Sequence, residues 1–216
     1  MPDPADALSE HAVERLIAYR RHLRQRLMQG CDRIYSHDLA KPEGVTPAQV
    51  RRDLMTIGYT GSPARGYDAK GLITHISSLL DARSVGGFAL VGVGHLGRAI
   101  LDYLARQHPE YKVAAFDVNP DKAGGVTHGC RCYMLDEMKQ VLTQQSMRVG
   151  IVTVPADAAQ DAATRLVEAG VCGLLNFAPV RLRVPARVYV ENVDIALRLE
   201  KVAFFALASR PKETQE

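Results

Sequence analysis

The spacing of hydrophobic positions changes near the middle of this chain. From Ala12 to Met28, apolar Val13, Leu16, Ile17, Leu23 and Leu27 recur at helical intervals, with Arg15, Arg20, Arg21, Arg24 and Arg26 on the other face. A short helix over 36–41 is expected next, with Ser36 as its N-cap and Pro42 as its stop. Thr46 as N-cap, Pro47 at the first helical position and Gln49 completing a capping box then predict a helix running to about Ile57. Its core side is Val50, Leu54 and Ile57; its outer side is Gln49, Arg51, Arg52 and Met55. Three glycines and a proline within "GYTGSPARGY", 58–67, predict a turn or tight hairpin. Residues 68–83 form a further amphipathic helix carrying Leu72, Ile73, Ile76, Leu79 and Leu80. "SVGG" at 84–87 is the expected domain boundary.

Beyond that boundary, apolar strands alternate with helices. Strands are expected at 87–91, 112–117, near 131–133, and at 149–154, 171–176 and 187–191, with helices at about 95–107, 134–145 and 156–169. Continuous apolar strands separated by helices mean an α/β domain whose parallel sheet is covered on both faces. The last segment, "DIALRLEKVAFFALASR", is helical. Ile195, Leu199, Val202, Ala203 and Ala206 form one stripe, while Leu197, Phe204, Phe205 and Leu207 lie off it. A helix apolar on more than one side must be buried on more than one side, which points to a second subunit. The expected organisation is residues 1–83, 84–193 and 194–216.

Composition adds bounds. Of 216 residues, 47% are hydrophobic and 24% charged, ordinary values for a globular protein with a real core. The N-terminus "MPDPADALSE" is acidic and lacks the apolar run of a signal peptide, and its first ten residues read as frayed. "VAFFALA" is too short to span a bilayer, so a cytoplasmic protein without a membrane segment is expected. Cys31, Cys130, Cys132 and Cys172 show no zinc-type spacing and read as reduced thiols, and no H-E-x-x-H occurs, so no metal is expected. The net charge of +3 says little, but its distribution says more: from Arg15 to Arg52 nine Lys or Arg face three Asp or Glu, a local net of +6.

The clearest chemistry lies at "LVGVGHLGRA", 90–99. Gly92, Gly94 and Gly97 are spaced G-x-G-x-x-G between an expected strand and an expected helix. Gly92 permits the tight turn, Gly94 lets the backbone approach a pyrophosphate, and Gly97 lets the helix lie close on the sheet. Val93, His95 and Leu96 complete the loop, whose helix N-terminus offers amides and partial positive charge to phosphates. Asp117 ends the next strand, twenty residues past Gly97, where a carboxylate accepts ribose hydroxyls and repels a 2′-phosphate. NAD(H) is therefore favoured over NADP(H). "VPA", Val154–Ala156, and "FAP", Phe177–Pro179, follow strands at their carboxyl ends; they either wall the nicotinamide half or are simply loop prolines. No tyrosine–lysine pair, catalytic histidine domain or metal cluster accompanies the turn. The site reads as built to hold the cofactor, not to use it.

The short helix, turn and Thr46 helix match a helix-turn-helix in length and cap position. The hairpin after it supplies a wing, and the basic cluster suits a phosphate backbone. Ser36, Thr46 and Met55 border this surface; Gln49, Arg51 and Arg52 are placed to reach base edges, and Arg65 at the wing tip to enter a narrow minor groove.

Together these segments resemble the Rex family of bacterial redox-sensing transcriptional repressors over about residues 11–207. The resemblance is carried by "GVTPAQVRRDL" at 44–54, "GVGHLGRA" at 92–99, "AAFDVNPDK" at 114–122, "VPADAAQDAATRLVEAGV" at 154–171 and "GLLNFAPVRLRVP…VYVENVD" at 173–194. It implies a homodimer with a winged-helix domain, a Rossmann-like domain and a C-terminal helix swapped into the partner. It implies binding to two-fold operator DNA when NAD⁺ dominates and release when NADH accumulates. It also implies roles for Tyr103 near the nicotinamide, for Asp194 as a residue that changes partners, and for Arg15 as one of those partners. Without the resemblance these three read as an interface tyrosine, a helix N-cap and a surface arginine. Pro42 and Ala64 depart from the family pattern. Two other readings compete: a small NAD-dependent oxidoreductase, and a CoA- or nucleotide-binding subunit of a larger enzyme.

Overall fold

The computed structural model describes residues 8–62, 65–81 and 86–208. The chain divides into two compact units, Met1–Ser84 and Val85–Glu216. Residues 1–7 of the terminus, Pro63 and Ala64 of the expected wing, Ala82 and Arg83 of the expected helix, Ser84 and Val85 of the expected boundary, and residues 209–216 lie outside the described residues, while Ser9 and Glu10, read as frayed, begin a helix instead.

The first unit is built from α1 (Glu10–Met28), β1 (Arg33–Ile34), α2 (Ser36–Ala40), α3 (Pro47–Thr56), β2 (Tyr67–Asp68) and α4 (Ala69–Asp81). Ser9 caps α1, its hydroxyl accepting the Ala12 amide. The apolar stripe of α1 buries Leu16, Tyr19 and Leu23 against Leu54, Leu72 and Ile76 in one core. Ser36 is not the cap of α2. Tyr35 holds that position, and the Asp38 carboxylate at the third helical position reaches back to accept the Tyr35 amide at 2.8 Å. The helix ends before Pro42 as its missing N–H requires. Thr46 does cap α3, accepting the Gln49 amide at 3.1 Å with Pro47 at the first position. The reciprocal half of the expected capping box is not made, because the Gln49 side chain bonds elsewhere. Within 58–67 a bridge joins Ser62 to Gly66, and β2 at the end of this segment pairs antiparallel with β1, which lies before α2.

The second unit contains β3 (Phe88–Val91), α5 (His95–Gln107), β4 (Val113–Asp117), β5 (Val126–Thr127), β6 (Cys130–Met134), α6 (Met138–Gln145), β7 (Val149–Val152), α7 (Ala156–Glu168), β8 (Gly173–Asn176), β9 (Tyr189–Asn192) and α8 (Ile195–Ala208). Six strands are parallel in the order β6-β4-β3-β7-β8-β9. The sheet is not wholly parallel: β5 pairs antiparallel with β6 at one edge. This two-residue strand sits in the glycine-rich "KAGGVTHG", where Gly124, His128 and Gly129 all have positive φ, so its sequence reads as loop. Alternate residues of β3 and β4 enter opposite cores. Ala89, Val91, Ala114 and Phe116 meet Met138, Leu142 and Leu166, whereas Leu90 and Ala115 meet Leu101 and Ile151. Burial on both faces is what makes these strands continuously apolar. The strand order reverses between β3 and β7, and ligands of open α/β sheets bind outside the carboxyl ends of strands at such a switch point.

Candidate functional site

At the switch point the glycines do three different things. Gly92 has φ +100, and a Cβ there would lie 2.7 Å from a Val154 methyl; a Cβ at Gly97 would run into the Gly92 carbonyl. These two glycines serve the fold. Gly94 is different: a Cβ there would meet nothing within 4 Å. Gly94 is also the N-cap of α5, and no side chain caps that helix. Among the described residues the first amides of α5 therefore have no side-chain acceptor, beside exposed His95 and Leu96, which is the cradle an anion needs. The residues present fit a dinucleotide pyrophosphate.

Thr153, which sequence reasoning passed over, locks the turn. Its hydroxyl lies 2.8 Å from the Gly92 carbonyl and 3.0 Å from that of Val91, and its amide donates to Val91. Asp117 is buried and turned onto the same turn. Oδ2 accepts the Val93 amide at 2.7 Å and Lys122 Nζ at 3.1 Å; Oδ1 accepts the Asn119 amide at 2.9 Å. Burial pushes this carboxyl up, but the two amides and Lys122 outweigh it and hold its pKa below the ordinary aspartate value. Asp117 thus tensions the glycine turn, and Lys122 beside it offsets part of its charge.

Val154–Ala156 follow β7 and Phe177–Pro179 follow β8, so both segments sit at the carboxyl ends of neighbouring strands. Val154 and Phe177 are half-buried, Ala178 is buried, and Pro155, Ala156 and Pro179 are exposed. The second segment is shaped by Asn176, a buried side chain. Its amide donates to the Val180 carbonyl at 2.8 Å and to Asn192 Oδ1 at 2.9 Å, while its carbonyl accepts the Ala178 amide. A cleft of about 240 Å³ opens there, lined by Ala178, Pro179, Asn192, Asp194, Leu197 and Arg198. Ala178 and Pro179 of the expected nicotinamide wall thus share one cleft with the expected switch carboxylate, while Val154–Ala156 and Phe177 lie outside its lining. Asp194 also caps α8, its Oδ1 accepting the Leu197 amide at 2.9 Å. Tyr103 on α5 is 57% exposed.

In the first unit, α3 presents Arg51, Arg52 and Met55 together on an exposed face. Arg51 donates to the Ser36 hydroxyl at 3.1 Å, so the start of α2 braces it. A groove of about 330 Å³ joins Ser36, His37 and Arg51 to Ser62, Gly66 and Tyr67 of the wing. Arg65 is exposed on that wing. Two expected residues are engaged inward. The Gln49 amide donates to Asp53 Oδ1 at 2.8 Å, and Arg15 makes a bidentate pair with the same carboxylate, both bonds 2.7 Å. Asp53 is the residue that sequence reasoning missed. An acid between Val50 and Leu54 on the core side of α3 needs a buried cation, and that requirement was its only trace in the sequence.

Two family models match the chain: a CoA binding domain over residues 86–180, and a putative DNA-binding protein N-terminus over residues 7–54. The redox-sensing transcriptional repressor Rex of Syntrophobacter fumaroxidans is 40% identical over 194 residues, covering 89% of this chain and 92% of that protein. The structure of the Rex-family repressor RSP with NAD⁺ and operator DNA matches with a TM-score of 0.84 and 30% identity, covering 93% of each chain. RSP with NADH matches with a TM-score of 0.79 and 29% identity, covering 94% of this chain and 95% of that one. With relatives this similar over nearly their full length, the chain belongs to the Rex family of redox-sensing transcriptional repressors.

Proposed function

We propose that this protein holds two-fold operator DNA as a homodimer, in the cytoplasm, and releases it when NADH binds. The observation that carries the reading is the open cradle above Gly94 in a chain whose other unit faces outward with Arg51, Arg52 and Met55. Gly92–Gly97 and the α5 amides hold the pyrophosphate, Asp117 the adenosine ribose, and Val154–Ala156 with Phe177–Pro179 wall the nicotinamide. When bound, the dinucleotide supplies a ring that is cationic when oxidised and neutral when reduced. The protein senses this difference and does not turn the cofactor over. A gel shift with operator fragments tests the reading: complexes form without NADH and dissolve with it, and NADH turnover with no operator binding would revive the oxidoreductase.

Operator affinity falls steeply with salt in this reading, each neutralised phosphate adding about −0.9 to the slope of log K against log salt. A flat response in a titration from low to physiological salt would make the arginines a merely solvated face.

NADH binds more tightly than NADPH because Asp117 repels a 2′-phosphate. Asp117→Ser narrows that preference. It also weakens NADH binding by roughly tenfold, since the Val93 amide and Lys122 lose a charged acceptor. Titration of nicotinamide fluorescence reads both; equal affinity of the unmodified protein for the two cofactors would remove the argument.

A further inference from the structure

Asp117 has fewer open acceptor sites than a ribose needs. A carboxylate offers about four lone-pair sites. Three are taken: on Oδ2 by the Val93 amide at 2.7 Å and Lys122 Nζ at 3.1 Å, and on Oδ1 by the Asn119 amide at 2.9 Å. An unphosphorylated adenosine ribose presents two neighbouring hydroxyls, and holding both takes two sites. One of the three donors has to leave.

The three donors differ in their freedom. Val93 is buried in the glycine turn, and the Asn119 amide lies two residues along the backbone from Asp117, so neither moves without the loop. Lys122 hangs on a flexible four-carbon stem. The turn after β4 delivers it, the Lys122 amide donating to the Asn119 carbonyl at 3.1 Å. Its side chain is 38% exposed, against 7% for that of Asp117. An ion pair with one arm in solvent shifts an equilibrium by only about two- to fivefold. Once Lys122 lets go, two amides and two hydroxyls fill the four sites.

We propose that Lys122 sets how sharply the site tells an unphosphorylated ribose from one phosphorylated at the 2′ position: it gives up its place on Asp117 to two hydroxyls, and it stays to pair with a 2′-phosphate. The inference rests on the functional reading above, in which Asp117 faces the adenosine ribose. Lys122 thus acts with opposite sign on the two ligands, as a competitor of the first and a partner of the second. Discrimination is the difference between two affinities, and Lys122 moves the two toward each other. Asp117 fixes which ligand is preferred; Lys122 limits by how much.

Calorimetric titration of the full-length protein with ADP-ribose and with 2′-phospho-ADP-ribose tests this, since both carry the ribose end without the redox ring. Lys122→Met keeps the stem and removes the ammonium. It is expected to bind ADP-ribose about two- to fivefold more tightly and the 2′-phosphate roughly tenfold more weakly than the unmodified protein. Unchanged or weaker ADP-ribose binding overturns the proposal, because a residue that simply supports the site or holds the ribose would give that result. Unchanged or tighter binding of the 2′-phosphate overturns it as well. Lys122→Arg restores a cation and is expected to recover most of the 2′-phosphate binding; a loss equal to that of Lys122→Met counts against the pairing. Failure of the functional reading looks different. If the unmodified protein binds neither ligand, or if Asp117→Ser leaves both affinities unchanged, the ribose does not sit at Asp117 and the inference falls with that reading. If Asp117→Ser narrows the preference while Lys122→Met weakens ADP-ribose, the reading stands and the role of Lys122 falls alone.

Discussion

A chain cut after Val193 is expected to lose operator binding entirely and to be monomeric or insoluble. The reason lies on α8. Ile195, Leu197, Leu199, Val202, Phe204, Phe205 and Leu207 are each more than half exposed on a helix of 14 residues. These positions do not share one stripe, so a single flat surface cannot cover them. Fully burying one such side chain stabilises by about 1.5–3 kcal/mol, so covering seven half-exposed ones contributes roughly 10 kcal/mol before association costs. A two-fold dimer covers two copies of the helix, about twice that, which exceeds the association cost of about 4–15 kcal/mol and holds the dimer together. An operator with two-fold symmetry is read by two recognition helices at set spacing, so losing the dimer removes one of them along with the spacing. Sedimentation of the truncated protein, alone and with operator duplex, checks this. A soluble monomer that still binds operator at the unmodified affinity would refute the role given to α8.

The sequence showed some of these features and hid others for physical reasons. Thr46 and Pro47 announced α3 because a cap and a first-turn proline act locally, and Gly92 and Gly97 announced the βα turn because close approach permits no side chain. Apolar strands buried on both faces were legible as a doubly wound sheet. What stayed hidden depends on contacts made far along the chain. Asp53 meets Arg15 across 38 residues. Asn176 meets Asn192 across 16. The Thr153 hydroxyl reaches a carbonyl 61 residues away. Each is a polar group in or near a core, and single-sequence periodicity counts such a residue as an exception without naming its partner. The cap of α2 was misplaced for a smaller reason: Ser36 and Asp38 can both serve a helix start, and the carboxylate three residues on won. The faces of α3 illustrate the limit for function. Gln49 sits on the outer side by spacing, yet its amide reaches one helical turn forward to Asp53.

Saturating NADH is expected to weaken operator affinity roughly 5- to 150-fold, the range of couplings of about 1–3 kcal/mol, while NAD⁺ leaves it unchanged. A ligand moves a two-state equilibrium only through its differential affinity for the states, so the whole effect must come from the ring. A neutral ring packs more favourably than a cationic one against the apolar wall of Val154–Ala156 and Phe177–Pro179, because burying an unpaired charge is costly. Ala178 and Pro179 of that wall share a cleft with Asp194. In the switch we propose, the closed form has Tyr103 of one subunit donating to Asp194 of the partner subunit, which draws the carboxylate away from Arg15. In its open form Asp194 is free to pair with Arg15, which would set the spacing of the winged helices. Removing Asp194 tests this, but Ala also removes the cap of α8, at about 1 kcal/mol. Asp194→Asn keeps a cap acceptor and removes only the charge, so it separates the two effects. Its NADH coupling is expected to fall below about threefold with the dimer intact; Tyr103→Phe, losing a single hydrogen bond of about 1 kcal/mol, is expected to retain part of the response. Operator affinity measured with and without saturating NADH decides it. If the Asn and Phe variants both respond like the unmodified protein, the hydride is not read through Tyr103 and Asp194, and the wall must act on the dimer by another route.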